Sequence, residues 1–320
     1  MSELLTHRSG YQAWKPFYLL HSDNEFDRRK EVLWIIANRI PLQLEPEVIY
    51  SDLNFIMLGG LLEKLDGERL DKIAETEILE PLNLQHTFFN PSKDLRPRVA
   101  ASEKGNEYEK QTCIELGYLQ PPANAGGSDW SASIPACTYA ERAEKNPIAT
   151  APGSDKKPAE AGTPNEIRNP QSAFRNYQIW GEVHDGNAWF MGGVAGHAGL
   201  FSTAEEVLKI ALQFLPNYTK LLKPETCELF RTNFTKGLNE DRSFAFQLAS
   251  TANSTAGAKM SPQSFGHLGF TGTSLWIDPV AERVFVLLTN RTHNHELPLT
   301  NINSVRRRFH DIAIDLLDKK

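Results

Sequence analysis

The chain has 320 residues, 40% of them apolar and 23% charged, with a formal net charge of −6. That length and balance suit one large domain, or two intimately packed subdomains, with a sizeable core. The acidic balance argues against a general nucleic-acid binder, which would carry a basic patch, and no apolar run reaches membrane-spanning length.

Predicted elements follow in chain order. Between Glu31 and Ile40, Val32, Leu33, Ile35, Ile36 and Ile40 recur at helical spacing until Pro41 stops them. Asp52 to Leu65 is a second helix, closed by Gly67, and Leu70 to Ile78 a third, closed by Pro81. From about Pro91 to Tyr177 the pattern loosens. Residues 121–170 are rich in Pro, Ala, Gly, Ser and Asn, a composition that buries little and reads as a surface insertion within a single domain spanning 1–320. Order returns at Trp180. Ser202 with Glu205, or Thr203 with Glu206, matches a capping box ahead of an amphipathic helix carrying Val207, Ile210, Ala211 and Phe214. Strand-like runs follow at Phe244–Leu248, Ser274–Ile277 and Val284–Leu288, the last two joined across the turn signal Asp278-Pro279 as a hairpin. A final helix, Val305 to Leu317, is expected to bury Phe309, Ile312, Ala313, Leu316 and Leu317 on one face, leaving Arg306-Arg307-Arg308 solvated. Helices in the middle and a strand pair plus helix at the end predict an α+β arrangement.

Three cysteines, Cys113, Cys137 and Cys227, are odd in number and contain no CxxC pair, so they signal neither a zinc knuckle nor a disulfide framework. No signal-peptide pattern opens the chain, which gives a cytoplasmic expectation if the start is genuine.

Several stretches together resemble the serine β-lactamase and penicillin-binding-protein-like superfamily, in its class C and esterase branch. Leu4–Gly10 (LLTHRSG) is similar to that branch's LLTHTSG segment, and Tyr50–Gly67 to its Tyr-x-Asn motif and following helix. Pro81–Phe89, Gly192–Val207, Phe265–Pro279 and Val286–Arg291 resemble further segments in family order. The resemblance implies an antiparallel sheet flanked by helices beside a helical subdomain, with the cleft between them. It implies acyl transfer by a serine in Ser-x-x-Lys, with Lys one helical turn away to take the hydroxyl proton. Substrates would be small or peptide-like esters, amides or β-lactams, without a cofactor.

Carried over by motif, Tyr50 is the acid/base, its phenol depressed in pKa by nearby cations. Asp52 stands where the family usually has Asn; it accepts hydrogen bonds but donates none when ionised, and would orient or stabilise a neighbouring Lys⁺. His267 and Gly269 match a His-x-Gly third motif, with His267 as electrostatic stabiliser and the Phe270 N–H as oxyanion donor. A competing register places this motif at Thr271-Gly272-Thr273. Trp189 or Phe190 would line the cleft mouth.

The family's Ser-x-x-Lys lies well upstream of the LLTHTSG segment, whereas three residues precede Leu4 here. The expectation is therefore a truncated or degenerate serine hydrolase with little turnover. Ser154-Asp155-Lys156-Lys157 fits the letters but sits between Pro-Gly and Pro in the insertion, a poor setting for a positioned nucleophile.

Two rivals remain. A nucleophile-less member could bind peptides or cell-wall-like fragments without turnover. A metal hydrolase could draw on His184, Asp185, His197, His293, His295 and Glu296, but no HExxH or other spaced ligand set appears, so no metal site is expected. His184, Asp185 and Asn187 read instead as hydrogen-bonding residues that fix a loop.

Overall fold

The computed structural model describes residues 1–19, 27–39, 47–119 and 174–319. The insertion at 121–170, with Ser154, lies outside the described residues.

The helical part is built from α1 (Ser2–Leu5), α2 (Arg28–Arg39), α3 (Asp52–Asp66), α4 (Leu70–Ala74), α5 (Glu107–Glu115) and α6 (Gly186–Phe190). In α3, Ser51 is extended at the N-cap, and Gly67 closes the helix at φ 91°, a left-handed cap that glycine adopts without a Cβ penalty. Its inner face, Leu53 and Ile56, meets Val32 and Ile36 of α2 together with Phe17, Leu19, Phe190 and Met191 in one core. The third predicted helix is α4, which widens into a π turn over Glu75–Leu79.

One contact sets the spacing between α3 and the segment after α6. A Cβ on Gly196 would lie 2.1 Å from the Phe55 carbonyl oxygen, and one on Gly59 would lie 3.2 Å from the Gly196 nitrogen. Only glycine at 196 lets these two backbones meet.

Farther along come α7 (Ala204–Ala211), α8 (Pro224–Leu229) and α9 (Asn303–Leu317). Thr203 caps α7 by accepting from the Glu206 N–H at 3.3 Å, but the second half of the predicted capping box is not made. Glu206 instead accepts from the Gln85 and His86 N–H groups and the Thr87 hydroxyl. It thereby holds the loop before β1 (Phe88–Phe89), which pairs with β2 (Leu200–Phe201).

The main sheet is antiparallel in the order β3 (Gln247–Leu248), β4 (Phe265–Leu268), β5 (Ser274–Asp278), β6 (Arg283–Leu287). The hairpin forms as expected, and Asp278 closes it by accepting from the Val280 and Ala281 N–H groups. Side chains alternate across the sheet. Phe265 and Ile277 pack with Leu215, Phe246 and Ala211, while Trp276 and Phe285 pack on Ile314 of α9. The predicted strand Phe244–Leu248 shrinks to two residues, since Ala245 takes a positive φ and donates to the Leu5 carbonyl.

The expected inner face of α9 holds for Phe309 and Ala313, which pack against the Trp276–Phe285 cluster, and is corrected for the rest. Ile312, Leu316 and Leu317 are exposed, while Arg306, His310 and Ile314 are buried. The reason is that loop carbonyls need donors: His310 Nδ1 meets the Thr255 carbonyl at 2.8 Å, and Arg306 reaches two carbonyls of the β4–β5 turn. Arg306, read as part of a solvated run, is therefore an interior clamp.

Candidate active site

Tyr50 sits just before α3 and faces the end of β4. Its hydroxyl is 3.4 Å from His267 Nε2. His7 packs on the other side of the phenol, ring centroids 4.5 Å apart, and the Arg242 guanidinium lies 5.3 Å from the ring centre. His7 takes a left-handed φ of 57° and grips the Tyr50 segment twice. Its carbonyl accepts from the Ile49 N–H at 3.0 Å, and its Nδ1 accepts from the Ser51 N–H at 3.0 Å. Asn54 Nδ2 meets the same nitrogen at 3.1 Å. Two donors on Nδ1 place the ring proton on Nε2, which has no partner among the described residues.

Burial pushes His7 down to about 3 and His267 down to about 4, with Arg242 adding to both. Both rings are thus neutral at pH 7. The expected depression of the Tyr50 pKa is not found. Burial, then the Asp52 charge, raise it, and Arg242 offsets only part of that. The single nearby guanidinium is outweighed because Asp185 and Glu240 act in the same direction as Asp52. The Tyr50 phenol is therefore protonated at pH 7.

His267 ends β4, and the chain then turns through Gly269–Thr273. The Gly269 N–H donates to the Thr273 carbonyl at 3.0 Å, and the Gly272 N–H to the Gly269 carbonyl at 3.1 Å. A Cβ on Gly269 would lie 2.0 Å from Thr273 Oγ1, so the tight turn requires that glycine. Arg306 donates to the Gly269 and Thr273 carbonyls at 3.0 and 2.9 Å, holding the turn from below. Phe270 stands at its tip. Its ring stacks on His184, meets Tyr108 at 4.7 Å and lies under the Arg291 guanidinium at 4.8 Å. Arg291 Nε also donates to the Phe270 carbonyl at 2.7 Å. The peptide whose N–H was singled out as an oxyanion donor is thus fixed on both sides.

Behind Tyr50 lies a second group. Asp52 opens α3. Asp185 caps α6 by accepting from the Ala188 N–H at 2.7 Å. His197 follows Gly196 and places Nε2 at 2.9 Å from Asp185 Oδ1. One side-chain ligand atom from each of Asp52, Asp185 and His197 lies within 4.8 Å of the others. Burial raises Asp52 to about 6, whereas His197 beside Asp185 holds that carboxyl down at about 2 against burial. Deeper in, Glu109 accepts from the Tyr18 hydroxyl and the Gly186 N–H, each at 2.8 Å. Burial raises it to about 7, with Asp185 adding.

The loop role read for His184, Asp185 and Asn187 appears in the bonds they make. His184 pairs with Glu103 at 2.9 Å, and Asn187 bridges the Phe17 N–H and the Lys15 carbonyl. The cleft-mouth reading of Phe190 is corrected, because that ring is buried in the helical core; Trp189 is partly buried under Arg175. Sequence reasoning did not single out His7, Arg242, Arg306 or Glu109. Only His7 carried a signal, standing inside a motif-like segment. His293, His295 and Glu296 do not join the Asp52 group.

Comparison with known proteins gives the family and the fold. The Beta-lactamase family model matches residues 1–306. A protein of Escherichia coli K12 with the provisional name D-alanyl-D-alanine carboxypeptidase is 28% identical over 309 residues, covering 92% of this chain and 57% of that protein. A Salmonella gallinarum protein of the same name is 30% identical over 284 residues, covering 84% and 51%. The chain spans about half the length of the curated relatives it matches. Among solved structures, the hydrolase EstCE1, described as having promiscuous acyltransferase activity, aligns with a TM-score of 0.55 at 17% identity, covering 96% of this chain and 70% of that one. The D-amino acid amidase of Ochrobactrum anthropi SV3 aligns at 0.54 with 14% identity, covering 98% and 72%. At such identities these two show the fold alone. No helix among the described residues is long and apolar enough to cross a membrane.

Proposed function

Since this chain belongs to the β-lactamase family, we propose that its Tyr50–His267 cleft is the acid and oxyanion side of a serine acyl-hydrolase site for peptide-like amide or ester substrates. The observation that carries this reading is the meeting of Tyr50 and His267, from segments far apart in sequence, at 3.4 Å beside a clamped turn. Tyr50 donates a proton to the leaving group, neutral His267 hydrogen-bonds Tyr50 and fixes its direction, and the Phe270 N–H stabilises the developing oxyanion. Asp52 orients the start of α3 and offers its carboxylate to a cation in the cleft. Among the described residues no Ser-x-x-Lys faces Tyr50, and little or no turnover is proposed for the 320 residues alone. The relatives' names favour a substrate ending in D-alanine.

The test pairs a fluorophosphonate probe with release of D-alanine from a D-alanyl-D-alanine peptide. The 320-residue chain should show no burst of labelling. The native polypeptide, where its intact mass exceeds 36 kDa, should label at one serine and release D-alanine, and Tyr50→Phe should slow release about 100-fold or more. Labelling of the 320-residue chain that disappears in Ser154→Ala would overturn the assignment of the nucleophile. Peptide binding without turnover by the native polypeptide would replace the hydrolase with a binding protein.

A further inference from the structure

We propose that Asp52, Asp185 and His197 form a binding site for one divalent transition-metal cation of the zinc class. This goes beyond the acyl-hydrolase reading and does not depend on it.

Two carboxylate oxygens and one imidazole nitrogen are a donor set suited to zinc and related ions. Their ligand atoms already lie within 4.8 Å of one another, so small side-chain rotations bring all three to a common centre at metal–ligand distances of about 2.0–2.2 Å. The three residues come from three separately fixed backbones. Asp52 is in the first turn of α3, Asp185 is held as the α6 cap by the Ala188 N–H, and His197 follows the Gly196–Phe55 backbone contact. Such independent anchoring preserves a site between ligands instead of letting it collapse.

The surroundings of the three ligand atoms are buried and rich in carboxyls. The His197 side chain is 3% exposed, and its Nδ1 has no partner among the described residues. The nitrogen that faces the aspartates is Nε2, 2.9 Å from Asp185 Oδ1, and a cation there would displace its proton and leave Nδ1 as the ring's N–H donor. Three carboxyls, Asp52, Asp185 and Glu109, share this region with His197, His184 and Arg175. A dication neutralises both aspartates where water is scarce. The other histidine–carboxylate pair, His184–Glu103, has no second carboxylate within ligand distance, and His184 is covered by the Phe270 ring. The cation would sit behind Tyr50, since the charges of both Asp52 and Asp185 act on that phenol.

The experiment is calorimetric titration of the 320-residue chain, stripped with chelator, with ZnCl₂ and separately MnCl₂, alongside the visible spectrum of added Co²⁺. One equivalent of zinc should bind, and Co²⁺ should give ligand-field bands in the same stoichiometry. Asp52→Asn and His197→Gln should each weaken binding about tenfold or more, while His295→Gln should leave it unchanged. Asp185→Asn retains the helix cap and serves as a third variant. Urea midpoints in chelator identify any variant that fails to fold, and the remaining variants then decide. Absence of one-equivalent binding overturns the site. So does binding that survives in both Asp52→Asn and His197→Gln, or that vanishes in His295→Gln.

Discussion

The wall formed by His7, Tyr50 and His267 and the group formed by Asp52, Asp185 and His197 start two residues apart, at the same end of α3, but are held in opposite ways. In the first, burial and Arg242 strip charge from the histidines, and the phenol is kept by ring stacking and one long hydrogen bond. In the second, mutual attraction keeps Asp185 ionised despite burial, and short hydrogen bonds fix its position. A helix start thus serves two electrostatic regimes. The neutral wall can pass a proton without first losing a buried charge, and the charged group can attract a cation without titrating the wall.

The strongest way to break this division is to separate the two backbones. Gly196→Val places side-chain atoms on the Phe55 carbonyl, 2.1 Å from the Cβ position. Stability should fall by about 4 kcal/mol or more, read from the urea midpoint. Next, Asp185→Ala removes a cap and leaves His197 without its carboxylate; a loss of about 3 kcal/mol is expected, with Asp185→Asn costing about half as much. Arg306→Ala should cost about 2 kcal/mol by leaving two turn carbonyls without their charged donor, and it should broaden the Phe270 amide resonance in an NMR spectrum.

Acid acts on the two regions in opposite directions: Asp52 and Glu109, raised to about 6 and about 7, bind protons more readily folded than unfolded, so their contribution grows as pH falls. His7 and His267 resist protonation when folded, whereas in the unfolded chain they take up protons below about 6.5. At these two histidines the unfolded state therefore binds more protons, and their contribution to stability falls by roughly 2 kcal/mol or more as pH drops from about 6.5 toward 4. Below about 3 these two histidines add no further loss. Asp185 keeps its contribution until the pH nears 2. Urea midpoints between pH 8 and 4, compared between the chain and His7→Asn, isolate the histidine part: the chain should lose stability relative to the variant as the pH falls. The smallest effect belongs to Tyr50→Phe, whose stability should change by about 0.5 kcal/mol or less because its one hydroxyl contact is long.

Periodicity and turn residues made the helices Arg28–Arg39 and Asp52–Asp66 and the β5–β6 hairpin legible, because each buries a face against a neighbour it meets repeatedly. Motif resemblance located Tyr50 and His267, which the fold brings together. Arg306 was not legible. A cation in a basic run looks solvated until the carbonyls it satisfies, more than thirty residues away, are known. The same holds for α9, where apolar letters could not reveal that Arg306 and His310 turn inward beside Ile314 to meet loop carbonyls. Asp185 and His197 were noticed as metal-type residues, but nothing in their spacing placed Asp52 beside them; that proximity depends on Gly196 meeting α3.

The Gly59–Gly196 contact also acts as a ruler. Asp52 and Gly59 lie about two turns apart on one face of α3. Inserting one residue between them would rotate Asp52 by about 100° relative to the glycine contact and swing its carboxylate away from His197. Chain length can therefore drift in the loops around this site, but the stretch from Asp52 to Gly59 accepts changes in side chain and none in count.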